Sequence, residues 1–399
     1  MAGKAEARNA IDAVLRGAAE AGEVPGVVAA AADANGPIYE GAFGVRALGG
    51  TAAMTADTVF RIASMTKSVT CVAALQLVEA GKLSLDGKLP DIAPALTAPQ
   101  VLDGFDAASG KPILRPAKRP ITLTHLMTHT AGFTYEMWNA DTRRYVQESG
   151  TLPLMSGKLA ALNRPLMFDP GERWEYGINI DWIGRLIEAV SGQALDAYMR
   201  EHIFAPLGMH DTGFLPSPEQ RARQAQVHQR QSDGSFVPQP FEPLGPREFW
   251  AGGGGLYSTA SDYLRFVQML MHDGTLGGGG AQILKPETVA LMHRNHIGEL
   301  PAGVLKTAMP ELTNDVDLFP GAALRWSLGH MLNVEPGPNG RSAGSVGWAG
   351  LFNSYYWLDP ARQIAGTILT QILPFADPTV VRLYGRFERG VYALSEAAA

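Results

Sequence analysis

Apolar residues recur at helical spacing along the front half of 64–86. The stretch SMTKSVTCVAALQLVEAGKLSLD places Val69, Val72, Ala73, Leu77 and Val78 at helical spacing and carries no charge between Lys67 and Glu79. A helix that is apolar on most sides is a buried helix, and Gly81 supplies the left-handed residue that stops it. Residues 1–26 differ: MAGKAEARNAIDAVLRGAAEAGEVPG intersperses charges among apolar positions, as an amphipathic helix does. Residues 27–32 and 36–44 then read as a hairpin of strands. Between 89 and 250 prolines and loops are denser, with helical patterns over 181–190 and 195–204. Further on, the pattern predicts helices over 260–271 and near 286–295, strands over 324–334, 342–348, 353–358 and 364–370, and a last helix over 378–394. This order predicts an α+β fold. An antiparallel β-sheet flanked by helices is built from 1–88 and 251–399, and a mostly helical subdomain, 89–250, is inserted into it.

Composition narrows the class. With 399 residues, 46% of them hydrophobic, there is material for a large core. A net charge of −6 argues against nucleic acid or an anionic membrane as partner. The N-terminal segment lacks the uninterrupted apolar region of a secretory signal, and no run reaches the ~18–20 apolar residues of a membrane span. A cytoplasmic enzyme is the expectation. The sequence sets no oligomeric state.

The buried helix opens on candidate chemistry. Ser64 and Lys67 stand three residues apart, so nearly one helical turn brings their side chains to the same side. A serine hydroxyl is a poor nucleophile until a base takes its proton, and a lysine serves once burial lowers its pKa. Ser-x-x-Lys also arises by chance, and a lysine snorkelling out of a core helix is the alternative reading. The surrounding motifs decide.

FRIASMTKSVT (60–70), LTHLMTHTAGF (123–133), FDPGERWEYGINIDWIG (168–184), FAPLGMHDTGF (204–214) and AGGGGLYSTASDYLRF (251–266) occur in that order. Together they resemble the serine β-lactamase-like clan, which includes class C β-lactamases, DD-peptidases and family VIII carboxylesterases, and the resemblance runs over about 27–392. It implies a β-lactamase/transpeptidase-like fold. Two further motifs carry over. The Tyr-x-Asn of the β-lactamases falls on Tyr176-Gly177-Ile178, with Asn179 one residue late; the Lys-Thr-Gly falls on Trp348-Ala349-Gly350, the Trp-x-Gly of the esterases. A lysine there helps hold a substrate carboxylate, whereas a tryptophan offers a flat apolar wall. Both departures point to esters.

The resemblance implies that Ser64 attacks an ester carbonyl, that Lys67, neutral or sharing a proton with Tyr176, assists, and that Tyr176 protonates the leaving alcohol. The backbone N–H groups of Ser64 and Leu351 would form the oxyanion hole. Water would then release the acid, with transfer of the acyl group to an alcohol as a side activity. For Tyr176 the alternative is a core tyrosine beside Trp174 and Trp182. Substrate contacts are expected from Trp348, Gly350, Tyr135, Trp138, Trp174, Trp250 and Phe352, with Tyr355 near them in sequence; aromatics at such places also serve as plain core. A β-lactamase or DD-peptidase of the clan, and a silent ligand-binding homologue, are the competing functions. The expected partner is a small-molecule ester.

Four other features call for weighing. Gly340-Arg341-Ser342-Ala343-Gly344 fits Gly-x-Ser-x-Gly, but turn residues precede it, a strand follows, and no histidine lies after His330, so an α/β-hydrolase triad in that order cannot be built. His125 and His129 have the spacing of a metal pair, yet His-Glu-x-x-His is absent and packing or hydrogen bonding is expected of both. Cys71 is the one cysteine, inside the apolar helix, so no disulfide forms within the chain. No metal and no cofactor is expected. The glycine runs 252–255 and 277–280 lack a phosphate-loop ending; the first is expected to let backbone approach the active site, the second to be a loop.

Overall fold

In the computed structural model, which describes residues 2–241, 246–277 and 280–397, strand β1 (Gly26–Asp33) is GVVAAAAD and is buried along almost its whole length. A strand buried on both faces needs cover on both. It pairs with β2 (Gly36–Gly44) in a hairpin and, on its other edge, with β7 (Ile364–Leu369), more than 300 residues later. The sheet continues through β6 (Ser354–Asp359), β5 (Val346–Gly350), β4 (Met331–Asn333) and β3 (Leu324–Trp326), giving the order β2-β1-β7-β6-β5-β4-β3 with every pair antiparallel.

Alternation on β6 shows what covers each face. Tyr355 and Trp357 meet Tyr384 of the terminal helix α5 (Pro378–Glu396), while Tyr356 between them meets Tyr263 of α4 (Ala260–Met271). Helix α1 (Ala2–Glu20) packs on α5, and α4 lies against β1, β6 and β7. Each fully buried aromatic of this kind contributes roughly 1.5–3 kcal/mol by leaving water. The buried helix is α2 (Thr66–Glu79), with Thr66 to Leu75 and Leu77 all out of solvent; it packs on α3 (Asn179–Ser191) and is followed by Gly81 at φ +68°.

Two strand boundaries differ from expectation. Residues 324–334 form two strands, β3 and β4, because the chain turns at Ser327–His330: the Ser327 N–H donates to the His330 carbonyl, and Gly329 sits at φ +97° with Cys71 Sγ only 2.8 Å from where a Cβ would be. Residues 342–345 are a turn rather than the start of β5, with Gly344 at φ +86° and the Ser342 N–H tied to Asp359. Leu195–Met199 is α-helical but loosens into a π turn at Arg200–Phe204, and the helix at Pro286–Met292 stops short of 295. In the second glycine run, residues 278 and 279 lie outside the described residues. No helix among the described residues is long and apolar enough to cross a membrane.

Candidate active site

Ser64 lies in a 3-10 turn, Ala63–Met65, that leads into α2. Ala63 adopts φ +43°, an uncommon conformation for a residue with a Cβ. The end of β5 comes against this turn. A Cβ on Gly350 would lie 2.3 Å from the Ile62 carbonyl oxygen, so only glycine lets the strand approach this closely, and Leu351 just after it lines the same cavity as Ser64.

Lys67 is fully buried. Its Nζ reaches Ser64 Oγ at 3.1 Å, Tyr135 OH at 3.1 Å and the Gly253 carbonyl at 2.5 Å, and lies 4.7 Å from the Tyr176 ring centroid. Three partners match the three protons of an ammonium. A neutral amine has two protons and a lone pair, so in that form the Ser64 O–H turns to donate to Nζ while Tyr135 and Gly253 keep theirs. Burial pulls the lysine pKa down to about 7, against the opposing pull of Asp181. The expected proton sharing between Lys67 and Tyr176 takes another form: Tyr135 receives the lysine N–H, and Tyr176 presents its ring.

Tyr176 is held by other groups. Its hydroxyl accepts from Trp348 Nε1 at 2.8 Å and is hydrogen bonded to Ser64, while burial pushes the phenol pKa up. The phenol is therefore a protonated acid at rest, and the Trp348 N–H favours its anion when it forms. Of the residues after it, Ile178 is buried, and Asn179 donates to the Phe133 carbonyl and meets His129 Nδ1 at 2.9 Å. His129 is kept neutral by burial, and His125 closes a capping box with Thr122, so both histidines pack and hydrogen bond. Among the described residues no group of three or more His, Cys, Asp or Glu is placed to hold a metal ion.

Ser64 opens onto a cavity of about 200 Å³ with mostly apolar walls. Of the expected substrate contacts, Tyr135, Trp138 and Phe352 line it, together with Leu351. Trp348, Gly350, Trp174 and Trp250 do not. Trp348 stands behind the cavity as the donor to Tyr176, Gly350 serves the backbone approach, Trp174 packs on Tyr176 and Trp326, and Trp250 on Phe214. Tyr355 is core, its hydroxyl donating to Asn353. The sequence reading passed over Met137, Leu154, Phe241, Phe249 and Tyr257, which also line the cavity, and two arginines: Arg61, lying over the Tyr257 ring, and Arg247, which donates to the Phe214 carbonyl. It also passed over Asp181. A single charged residue in the mostly apolar run INIDWIG was the available signal.

The glycine run 252–255 does approach the site by backbone: Gly252 and Gly253 offer carbonyls to Thr70 and Lys67. Ser342, by contrast, sits in the turn before β5, flanked by Arg341, which is buried in an ion pair with Glu388.

The sequence model of the family described as Beta-lactamase matches residues 11–389. Lovastatin esterase of Penicillium rubens is 32% identical over 402 residues, covering 96% of this chain and 98% of that protein. Monacolin J acid methylbutanoyltransferase of Aspergillus terreus is 32% identical, covering 96% and 95%. Among solved structures, a variant of simvastatin synthase (LovD) from Aspergillus terreus superposes with a TM-score of 0.84 at 30% identity over 98% of both chains. EstCE1, a hydrolase with promiscuous acyltransferase activity, superposes at 0.78 with 22% identity over 98% of this chain and all of that one, a likeness that speaks for the fold. A family match over nearly the whole length, and relatives of this identity on the same fold, place the chain in the β-lactamase family, as a serine hydrolase of that clan.

Proposed function

We propose that the protein is a carboxylesterase of the family VIII kind, with Ser64 as nucleophile, Lys67 as general base and Tyr176 as general acid. The observation that carries this reading is Ser64 Oγ at 3.1 Å from a buried lysine whose pKa is pulled to about 7, at the wall of an apolar cavity. A base of that strength holds its lone pair at neutral pH and still accepts a proton readily.

The Ser64 oxygen bonds to the ester carbonyl carbon as its proton passes to Lys67 Nζ. The carbonyl oxygen becomes an oxyanion, received by the N–H groups of Ser64 and Leu351; a donor so placed contributes roughly 2.7–4 kcal/mol. On collapse the carbon–oxygen bond to the alcohol breaks. Tyr176 gives its proton to the departing alkoxide and Trp348 steadies the transient phenolate, while the Lys67 ammonium keeps the proton taken from Ser64 until that oxygen leaves the acyl group. Water, or a second alcohol, then attacks the acyl-enzyme by the same proton path in reverse, giving the acid or a new ester.

The small apolar cavity suits short to medium acyl chains. Acyl transfer to an alcohol is favoured as a second activity by the methylbutanoyltransferase among the relatives. A β-lactamase or DD-peptidase activity is disfavoured by Trp348, which fills the place of a carboxylate-holding lysine and is spent on Tyr176. The test is hydrolysis of a nitrophenyl butyrate ester by wild type, Ser64→Ala and Ser342→Ala. Loss confined to Ser64→Ala is expected; loss confined to Ser342→Ala would sink the mechanism. An inactive wild type whose Ser64 resists a fluorophosphonate probe would favour a silent ligand-binding homologue.

A further inference from the structure

We propose that Asp181 is a positioning residue that acts through the backbone of Gly253 to hold Lys67 and set its strength as a base; the proposal rests on the Ser64–Lys67 reading above. Asp181 lies in the first turn of α3, five residues past Tyr176, and is fully buried at the cavity wall. Its Oδ1 accepts the Gly253 N–H at 2.9 Å, and the carbonyl of the same glycine accepts the Lys67 N–H at 2.5 Å. One residue, by its own N–H and C=O, thus stands between carboxylate and amine. A Cβ on residue 253 would lie 2.5 Å from Asp181 Oδ2, so the close fit requires glycine there.

Asp181 Oδ2 is buried and has no hydrogen-bond partner among the described residues. Burial raises the pKa of a carboxyl so poorly satisfied, and Lys67 is the largest influence holding it ionised, ahead of the Gly253 N–H and Arg164. The other titratable groups facing the lysine are Tyr135 and Tyr176, whose phenols burial keeps protonated, His129, kept neutral, and Cys71 on the next turn of α2, kept a thiol. Arg164 acts on Asp181 from further out and is paired with Glu136 at 3.0 Å. Burial lowers the Lys67 pKa, and Asp181 is the largest influence raising it. Burial alone would leave an amine too weak to take a serine proton efficiently. Asp181 restores that basicity.

The test is the pH dependence of fluorophosphonate labelling at Ser64, read by mass spectrometry on the full chain, beside nitrophenyl butyrate turnover. Wild type should show an acid limb centred near pH 7. Asp181→Asn keeps the volume and the Oδ1 acceptor but removes the charge. Its limb should move to lower pH by on the order of one unit, with a plateau rate about tenfold lower. Gly253→Ala, whose methyl group pushes the carboxylate away, should move the limb in the same direction and carries the test if Asp181→Asn does not fold. A limb that stays in place in the folded variants overturns the proposal, however far the rate falls. A wild type unlabelled at Ser64 overturns the underlying reading and this one with it, an outcome distinct from an unmoved limb.

Discussion

Ser64 and Ser68 stand four residues apart at the head of the same buried helix, and each has a nitrogen base as partner. Ser64 Oγ receives Lys67 at 3.1 Å; Ser68 Oγ lies 3.3 Å from His330 Nε2, whose other ring nitrogen meets Tyr356 OH at 2.8 Å. On paper the second pair is the more familiar dyad. It is sealed, however: Ser68, His330 and Tyr356 are buried between α2, α4 and the sheet, and none lines the cavity. The first pair has what the second lacks, namely an opening to a cavity that Leu351, just after the glycine-ended strand β5, also lines. A nucleophile and a base make an active site only where a substrate carbonyl can be set between them and an anion hole. Elsewhere the same hydrogen bond is a core contact.

The largest effect expected from that contrast is in the two serines themselves. Ser64→Ala should lower ester turnover by roughly 10⁴-fold or more. Ser68→Ala should leave turnover within about twofold but cost about 1–3 kcal/mol of stability, because it strands a buried ring nitrogen; steady-state assays and thermal denaturation separate the two. A large rate loss in Ser68→Ala would break the comparison.

Next comes pH. The Lys67 pKa is depressed, so above about 7 the amine holds its lone pair and below it the ammonium has none to offer Ser64. The value of kcat/KM should therefore be flat above that point and fall about tenfold per pH unit below it. His330, held neutral by burial, should add no limb between pH 5 and 8.

Trp348→Phe removes the N–H that meets Tyr176 while keeping the bulk of the side chain. A loss of kcat of about 10- to 100-fold with little change in KM is expected. An altered KM at constant kcat would instead return Trp348 to the cavity wall. The smallest effect belongs to Phe352, which lines the cavity: Phe352→Ala should shift preference towards longer acyl chains by roughly tenfold, read across a nitrophenyl ester series.

Much of this was legible in the chain because the residues concerned are local. Ser64 and Lys67 are joined by a helical turn, Gly81 ends the helix as its position implied, and the hairpin of β1 and β2 was read to within a residue or so. What escaped was long-range. Asp181 reads as an ordinary acid near a helix start until the loop carrying Gly253 is folded against it. Trp348 reads as a wall because its indole could face either way, and the Tyr176 hydroxyl that draws it lies 172 residues away. The split of 324–334 into two strands depends on Gly329 fitting against Cys71, a contact that no window of sequence contains.

The sheet also has a history. β1 is made early and pairs at once with β2, but its other neighbour is β7, so during synthesis that edge waits until residues 364–369 have left the ribosome. An unpaired, alanine- and valine-rich edge held open for so long is a template for unwanted strand addition. Of the whole molecule, it is this seam between early and late chain that should depend most on chaperones, and a chain truncated before β7 should aggregate rather than fold.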